Sequence, residues 1–155
     1  MASRERKPGA VPGVVSLFAI VVLLASAAAA PAAPPVTIDV GIAVASNDGS
    51  RIDPQLANLR AKLKAMFDYT SYRMLDRQKR TLAVGETGDF ALPGGRAMHV
   101  TPAPAAGNKV RLAVQIMEGP RNLLTTTLGL SRGGMVLVGG PAYQNGVMIL
   151  IISAD

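Results

Sequence analysis

Val36-Thr37-Ile38-Asp39-Val40-Gly41-Ile42-Ala43-Val44-Ala45 is the stretch that decides the fold. Val36, Ile38, Val40, Ile42 and Val44 are β-branched and apolar, and the residues between them are polar or small. A helix would scatter these side chains around its circumference, whereas an extended chain sets the aliphatic ones on a single face. The segment is therefore a strand with one face in a core. Asn47-Asp48-Gly49-Ser50 ends it in a turn, and the rest of the chain must supply the sheet it joins.

Working outward, Asp53-Pro54 has the form of a helix start, with Asp53 as N-cap and proline at the first helical position, where a missing N–H costs nothing. Leu56, Leu59, Leu63, Met66 and Phe67 follow at helical spacing while Arg60, Lys62 and Lys64 fall on other faces, which predicts one amphipathic helix of about 14 residues. Tyr72 to Val84 reads as a long polar strand. Its alternation fails around Asp76 to Arg80, as at a bulge or an exposed charged edge. Leu92-Pro93-Gly94-Gly95 is a tight turn, Arg96 to Thr101 a short strand, and 102–108 a loop. Val110, Leu112, Val114 and Ile116 alternate with Lys109, Arg111, Ala113 and Gln115, a second clear strand.

Leu124 to Leu130, Met135 to Val138 and Val147 to Ile152 complete the strands, joined by Arg132-Gly133-Gly134 and Gln144-Asn145-Gly146. Asn145-Gly146 between apolar runs signals a two-residue hairpin. Val147-Met148-Ile149-Leu150-Ile151-Ile152 is apolar on both faces, which places it mid-sheet or between sheet and helix. The expected fold class is α+β: mostly antiparallel β-sheet of about seven or eight strands, with the amphipathic helix over part of one face.

Residues 1–29 read as a signal peptide. Arg4, Arg6 and Lys7 precede an apolar run from Val14 to Leu24 and a small-residue end, which is what the secretory machinery requires. Cleavage is expected after Ala29. An uncleaved anchor is the alternative, because Val14 to Ala30 approaches the roughly 17-residue minimum for a membrane span. Residues 30–35 form a Pro/Ala-rich lead into a single domain over 36–155. The expected location is therefore exported, periplasmic or associated with the outer envelope, with membrane anchoring only if the leader is retained.

Cysteine is absent, so an exported domain must hold by apolar packing alone. Setting aside Arg4, Glu5, Arg6 and Lys7 leaves thirteen basic against nine acidic side chains, a net of +4. With no Trp, three Tyr and three Phe, surfaces for stacking bases are scarce, and no nucleic-acid partner is expected.

Few residues carry chemistry. His99 is the single histidine, and Arg96-Ala97-Met98-His99-Val100 has no acid near it in sequence. A soft metal site of Met98 and His99 is the alternative to a plain strand histidine. Asn47 to Asp53 has the oxygens of a calcium loop but is interrupted by Arg51 and lacks the closing glutamate. No serine has a nucleophile elbow. No catalytic residue, cofactor or enzyme activity is expected. The basic cluster Arg73, Arg77, Lys79 and Arg80 is the most suggestive surface feature. Together with Arg60, Lys62 and Lys64 it would present a positive face to an envelope protein or an anionic lipid surface, or else protect a sheet edge by charge. The leading reading is a non-enzymatic envelope module that binds a protein partner, by strand addition at an open edge. A small enzyme or Met/His metal carrier centred on His99 is the second, and a small outer-membrane barrel the third.

Leu124-Thr125-Thr126-Thr127-Leu128-Gly129-Leu130-Ser131-Arg132-Gly133-Gly134-Met135-Val136-Leu137-Val138-Gly139-Gly140 resembles a stretch of the secretins, the outer-membrane pores of bacterial secretion systems, in which a strand, a glycine turn and a hydrophobic strand ending in Gly-Gly recur. The likeness implies a small envelope module of similar local build, since the chain has no room for a domain array plus a pore. The layout of leader, Asp-Pro helix, Tyr69-x-x-Tyr72, Leu-Pro-Gly-Gly and Gly-Gly-Pro is similar to exported proteins of Gram-negative bacteria, a likeness that brings no activity with it.

Overall fold

The computed structural model describes Gly9 and residues 30–155, so the leader expected over 1–29 lies, Gly9 apart, outside the described residues. Residues 30–35 are exposed and without regular structure. The elements that follow are β1 (Val36–Ser46), a 3₁₀ segment (Pro54–Leu59) running into α1 (Arg60–Met66), β2 (Ser71–Leu82), β3 (Gly88–Leu92), β4 (Arg96–Ala103), β5 (Lys109–Glu118), β6 (Arg121–Ser131), β7 (Gly134–Tyr143) and β8 (Gly146–Ala154).

The strands pair antiparallel in two sheets of four, ordered β2-β1-β8-β7 and β3-β4-β5-β6. Each strand neighbours the next in sequence and β8 returns to β1. The result is a meander flattened into a sandwich, with seams at β2/β3 and β6/β7 where no ladder of hydrogen bonds joins the sheets. The inner faces enclose one core: Val36, Ile38, Val40 and Ile42 of β1 and Met148, Leu150 and Ile152 of β8 meet Phe90, Met98, Val100 and alternate residues of β5.

The helix packs on the outer face of the first sheet. Leu56 and Leu63, both fully buried, rest on Ala43, Ala45, Tyr72, Ile149 and Ile151. β8 is thus apolar on both faces because one meets the opposite sheet and the other meets the helix. The continuous 14-residue helix expected from the spacing is instead a 3₁₀ turn followed by an α-helix of 7 residues. Asp53 Oδ1 accepts from the Gln55 N–H at 2.9 Å, so the expected cap forms. Asn58, a residue suited to caps and turns rather than helix interiors, lies in the last turn of the 3₁₀ segment, and Leu59 gives α1 no side-chain cap.

Two irregularities position the surface features. Ile42 faces Asp76 and Ala43 faces Met74, so Leu75 is an extra residue in β2. The bulge reverses the alternation, and Arg77, Lys79 and Thr81 share the outer face with Tyr72 and Met74. At the β7–β8 hairpin, Tyr143 pairs with Gly146, so the turn is Gln144-Asn145 and not the expected Asn145-Gly146. A Cβ on Gly146 would lie 1.9 Å from the Ala45 carbonyl oxygen. Glycine is required there for close approach to β1, and the left-handed turn conformation falls on Gln144, at φ 51°.

Candidate functional site

β2 is an edge strand, and the direction of its backbone groups follows from β1. The Thr37 N–H donates to the Asp155 carbonyl at 2.8 Å and the Asp155 N–H to the Thr37 carbonyl at 2.9 Å. Odd-numbered β1 residues therefore address β8 and even-numbered ones address β2. Carried through the register, Arg73, Asp76, Gln78 and Arg80 turn their backbone groups to β1, while Tyr72, Arg77, Lys79 and Thr81 turn theirs to the free edge. Two hydrogen-bond sets agree with this. Tyr72 exchanges backbone bonds with Arg51 and Asp53 at 2.9 Å each, and the Arg77 N–H donates to the Asp76 carboxylate at 2.8 Å. Beyond Arg77, the backbone groups of Lys79 and Thr81 face no strand among the described residues.

The neighbouring edge, β3, is closed by side chains. The Gln78 amide donates to the Ala91 carbonyl at 2.7 Å and accepts from the Ala91 N–H at 3.3 Å. Arg80 Nε donates to the Asp89 carbonyl at 2.7 Å, and its guanidinium lies 5.6 Å from the Phe90 ring centroid. Gln78 and Arg80 thus stand in for the missing strand.

The basic cluster is divided between two faces. Arg77 and Lys79 project from the outer face, and Arg73 and Arg80 from the inner side toward the sandwich rim. Arg77 holds Asp39 in a two-pronged pair, at 2.8 and 3.0 Å. The Asp39 hydrogen bond raises the Arg77 pKa above its ordinary value. Arg73 Nη2 donates to Gln144 Oε1 at 3.2 Å. Arg60, Lys62 and Lys64 are exposed on the helix.

Met98 and His99 occupy opposite faces of β4. Met98 is buried in the core, while His99 lies on the outer face of the second sheet. They cannot share a metal ion, and no group of three His, Cys, Asp or Glu side chains able to hold one occurs among the described residues. His99 Nδ1 instead lies 2.5 Å from Asp89 Oδ1, an acid the sequence reading did not supply. The signal was the Leu92-to-Gly95 turn, because residues 89 and 99 are equidistant from Gly94. The oxygens of the calcium-like stretch serve as loop and cap acceptors: Asn47 Oδ1 takes the Thr70 N–H at 3.2 Å and Asp53 Oδ1 the Gln55 N–H at 2.9 Å.

Between the 46–54 loop, the start of β2 and the β7–β8 turn lies a cleft of about 600 Å³. Val44 and Ile52 contribute apolar surface, and Asp48, Arg51, Asp53 and Arg73 contribute charge. Asn145 Nδ2 donates to Asp48 Oδ2 at 3.2 Å. No reading of the sequence brought these residues together, because they come from three separated segments joined only by sheet register.

No family model matches the chain, and no curated protein does. Among solved structures it is similar to the T2SS secretin XcpQ from Pseudomonas aeruginosa, determined by cryo-EM, at 11% identity and a TM-score of 0.34, over 78% of this chain and 55% of that one.

Proposed function

We propose that the chain is an exported, non-enzymatic module of the cell envelope that binds a protein partner, and that the partner adds a strand along the open part of the β2 edge. The observation that carries this reading is the contrast between adjacent edges: β3 is closed by Gln78 and Arg80, while Lys79 and Thr81 present backbone groups to no strand among the described residues. Strand addition uses such groups for affinity and the alternating side chains for selection. The basic, apolar and small-residue order of the first 29 residues supports export.

The test is Lys79→Pro. Proline removes a donor that points away from β1, and edge positions of this kind tolerate it. The variant is expected to keep its circular dichroism spectrum and lose the partner that the unaltered protein retains from envelope extracts. In the complex, the Lys79 and Thr81 amides should become protected from hydrogen exchange. Retention of the same partner by the proline variant, or protection confined to other strands, overturns the reading.

The third expectation, an outer-membrane barrel, finds no support in the side-chain pattern. The outer face of the second sheet carries Asp89, His99, Gln115 and Thr125, the reverse of a lipid-facing surface, and the apolar part of the first sheet's outer face packs against Leu56 and Leu63 of the helical segment.

A further inference from the structure

The geometry points to the cleft beside the β7–β8 turn as a binding site for a zwitterionic ligand, an α-amino acid with an aliphatic side chain, free or at the end of a short peptide. The cleft holds opposite charges that are not spent on each other: Asp48 is held by the Asn145 amide and Arg73 by the Gln144 amide, each at 3.2 Å, and neither joins an ion pair among the described residues. Both amides come from one two-residue turn whose register Gly146 fixes against Ala45. That turn keeps Gln144 in the left-handed region, which a residue with a side chain adopts only where surrounding structure demands it.

The remaining residues define the ligand further. Asp48 and Asp53 each accept one hydrogen bond, but that of Asp53 caps the helix start whereas that of Asp48 comes from a surface side chain, so Asp48 is the acid assigned to an ammonium group. Arg73 and Arg51, both in the lining, are the cations available to a carboxylate. Val44, 5% exposed, and the partly buried Ile52 offer apolar contact to the ligand's side chain. Asp48, Arg51 and Arg73 are exposed, so a ligand with one charge gains one attraction and leaves the opposite group to solvent, whereas a zwitterion gains both. A volume of about 600 Å³ lies within the range of small-molecule sites and admits a single or double amino acid. This site is separate from the Lys79 edge and does not depend on strand addition.

The experiment is a nuclear magnetic resonance titration of the isotope-labelled protein with L-leucine, leucyl-leucine, isovalerate and isoamylamine. Leucine or the dipeptide is expected to give saturable shifts at the amides of Asp48, Arg51, Tyr72 and Asn145, and the tighter of the two identifies the source. The half-ligands, each lacking one charge, should bind about tenfold more weakly. Asp48→Asn and Arg73→Gln should each weaken the zwitterion about tenfold, and Lys109→Gln on the far sheet should leave it unchanged. No saturation below about 50 mM, half-ligands equal to the zwitterion, or unaltered binding by both cleft variants overturns the assignment.

Discussion

On the outer face of the sheet β2-β1-β8-β7, the half beneath the helix and the half left bare rise from the same alternate positions of β1 and share almost no chemistry. Beneath the helix those positions are Ala43 and Ala45, flanked by Tyr72, Ile149 and Ile151 and roofed by Leu56 and Leu63. On the bare half they are Thr37 and Asp39, which bridge to β2 side chains: Thr37 to Thr81 at 3.0 Å and Asp39 to Arg77 at 2.8 Å. Side-chain size as well as polarity therefore decides where a helix can rest. The leucines descend into space that the alanines leave, and where β1 carries branched or charged groups, cross-strand pairs cover the sheet instead.

The comparison breaks most sharply if the roof is removed. Leu63→Ala should cost about 2–5 kcal/mol in denaturant unfolding, because a fully buried leucine leaves a cavity that the short helix cannot close. Filling the space from below is the next largest effect: Ala43→Leu should cost about 1–3 kcal/mol by overpacking, whereas Thr37→Leu on the bare half should stay within about 0.5 kcal/mol. Equal costs for the two would remove the size argument.

Tyr72 sharpens the contrast, since it anchors the helix end to the sheet. Its hydroxyl donates to the Phe67 carbonyl and lies 3.2 Å from that of Leu63. Tyr72→Phe should cost about 1–3 kcal/mol by leaving buried carbonyl groups without that donor. Burial raises the phenol pKa above its ordinary value of about 10, so the unfolded chain loses this proton first. The stabilisation is full below about pH 10 and is lost as the pH rises from there through the folded value. The phenylalanine variant should therefore unfold with a flatter alkaline limb than the unaltered protein. The smallest effect belongs to the bare half: Asp39→Asn should cost about 1 kcal/mol or less and lose its salt dependence, because Arg77 is 64% exposed and screened by solvent.

Much of this division was legible in the chain. The alternation of Val36 to Val44, the Asp53-Pro54 cap, the two-sided apolar run of β8 and the failed alternation in β2 all rest on contacts within a few residues, and each has its counterpart in the fold. The helix break was not legible, since the leucine spacing fits a 3₁₀ turn followed by α-helix as well as a continuous helix. Nor was the partition into two sheets, which depends on where β2 hands over to β3 and β6 to β7. The site residues show the same limit. Arg73 to Arg80 are contiguous in sequence, and a single bulged residue, Leu75, sends Arg77 and Lys79 to one side and Arg73 and Arg80 toward the other. The Asp89–His99 pair was within reach of the Leu92-to-Gly95 turn, whereas the cleft of Asp48 and Arg73 arises from register between separated segments, which no single segment encodes.

The ladder between β1 and β8 has a consequence for the order in which the body can be made. β1 keeps one flank unpaired until β8 has been made more than 90 residues later, so this sheet cannot be completed on a growing polypeptide, and its formation is governed by its most distant pairing.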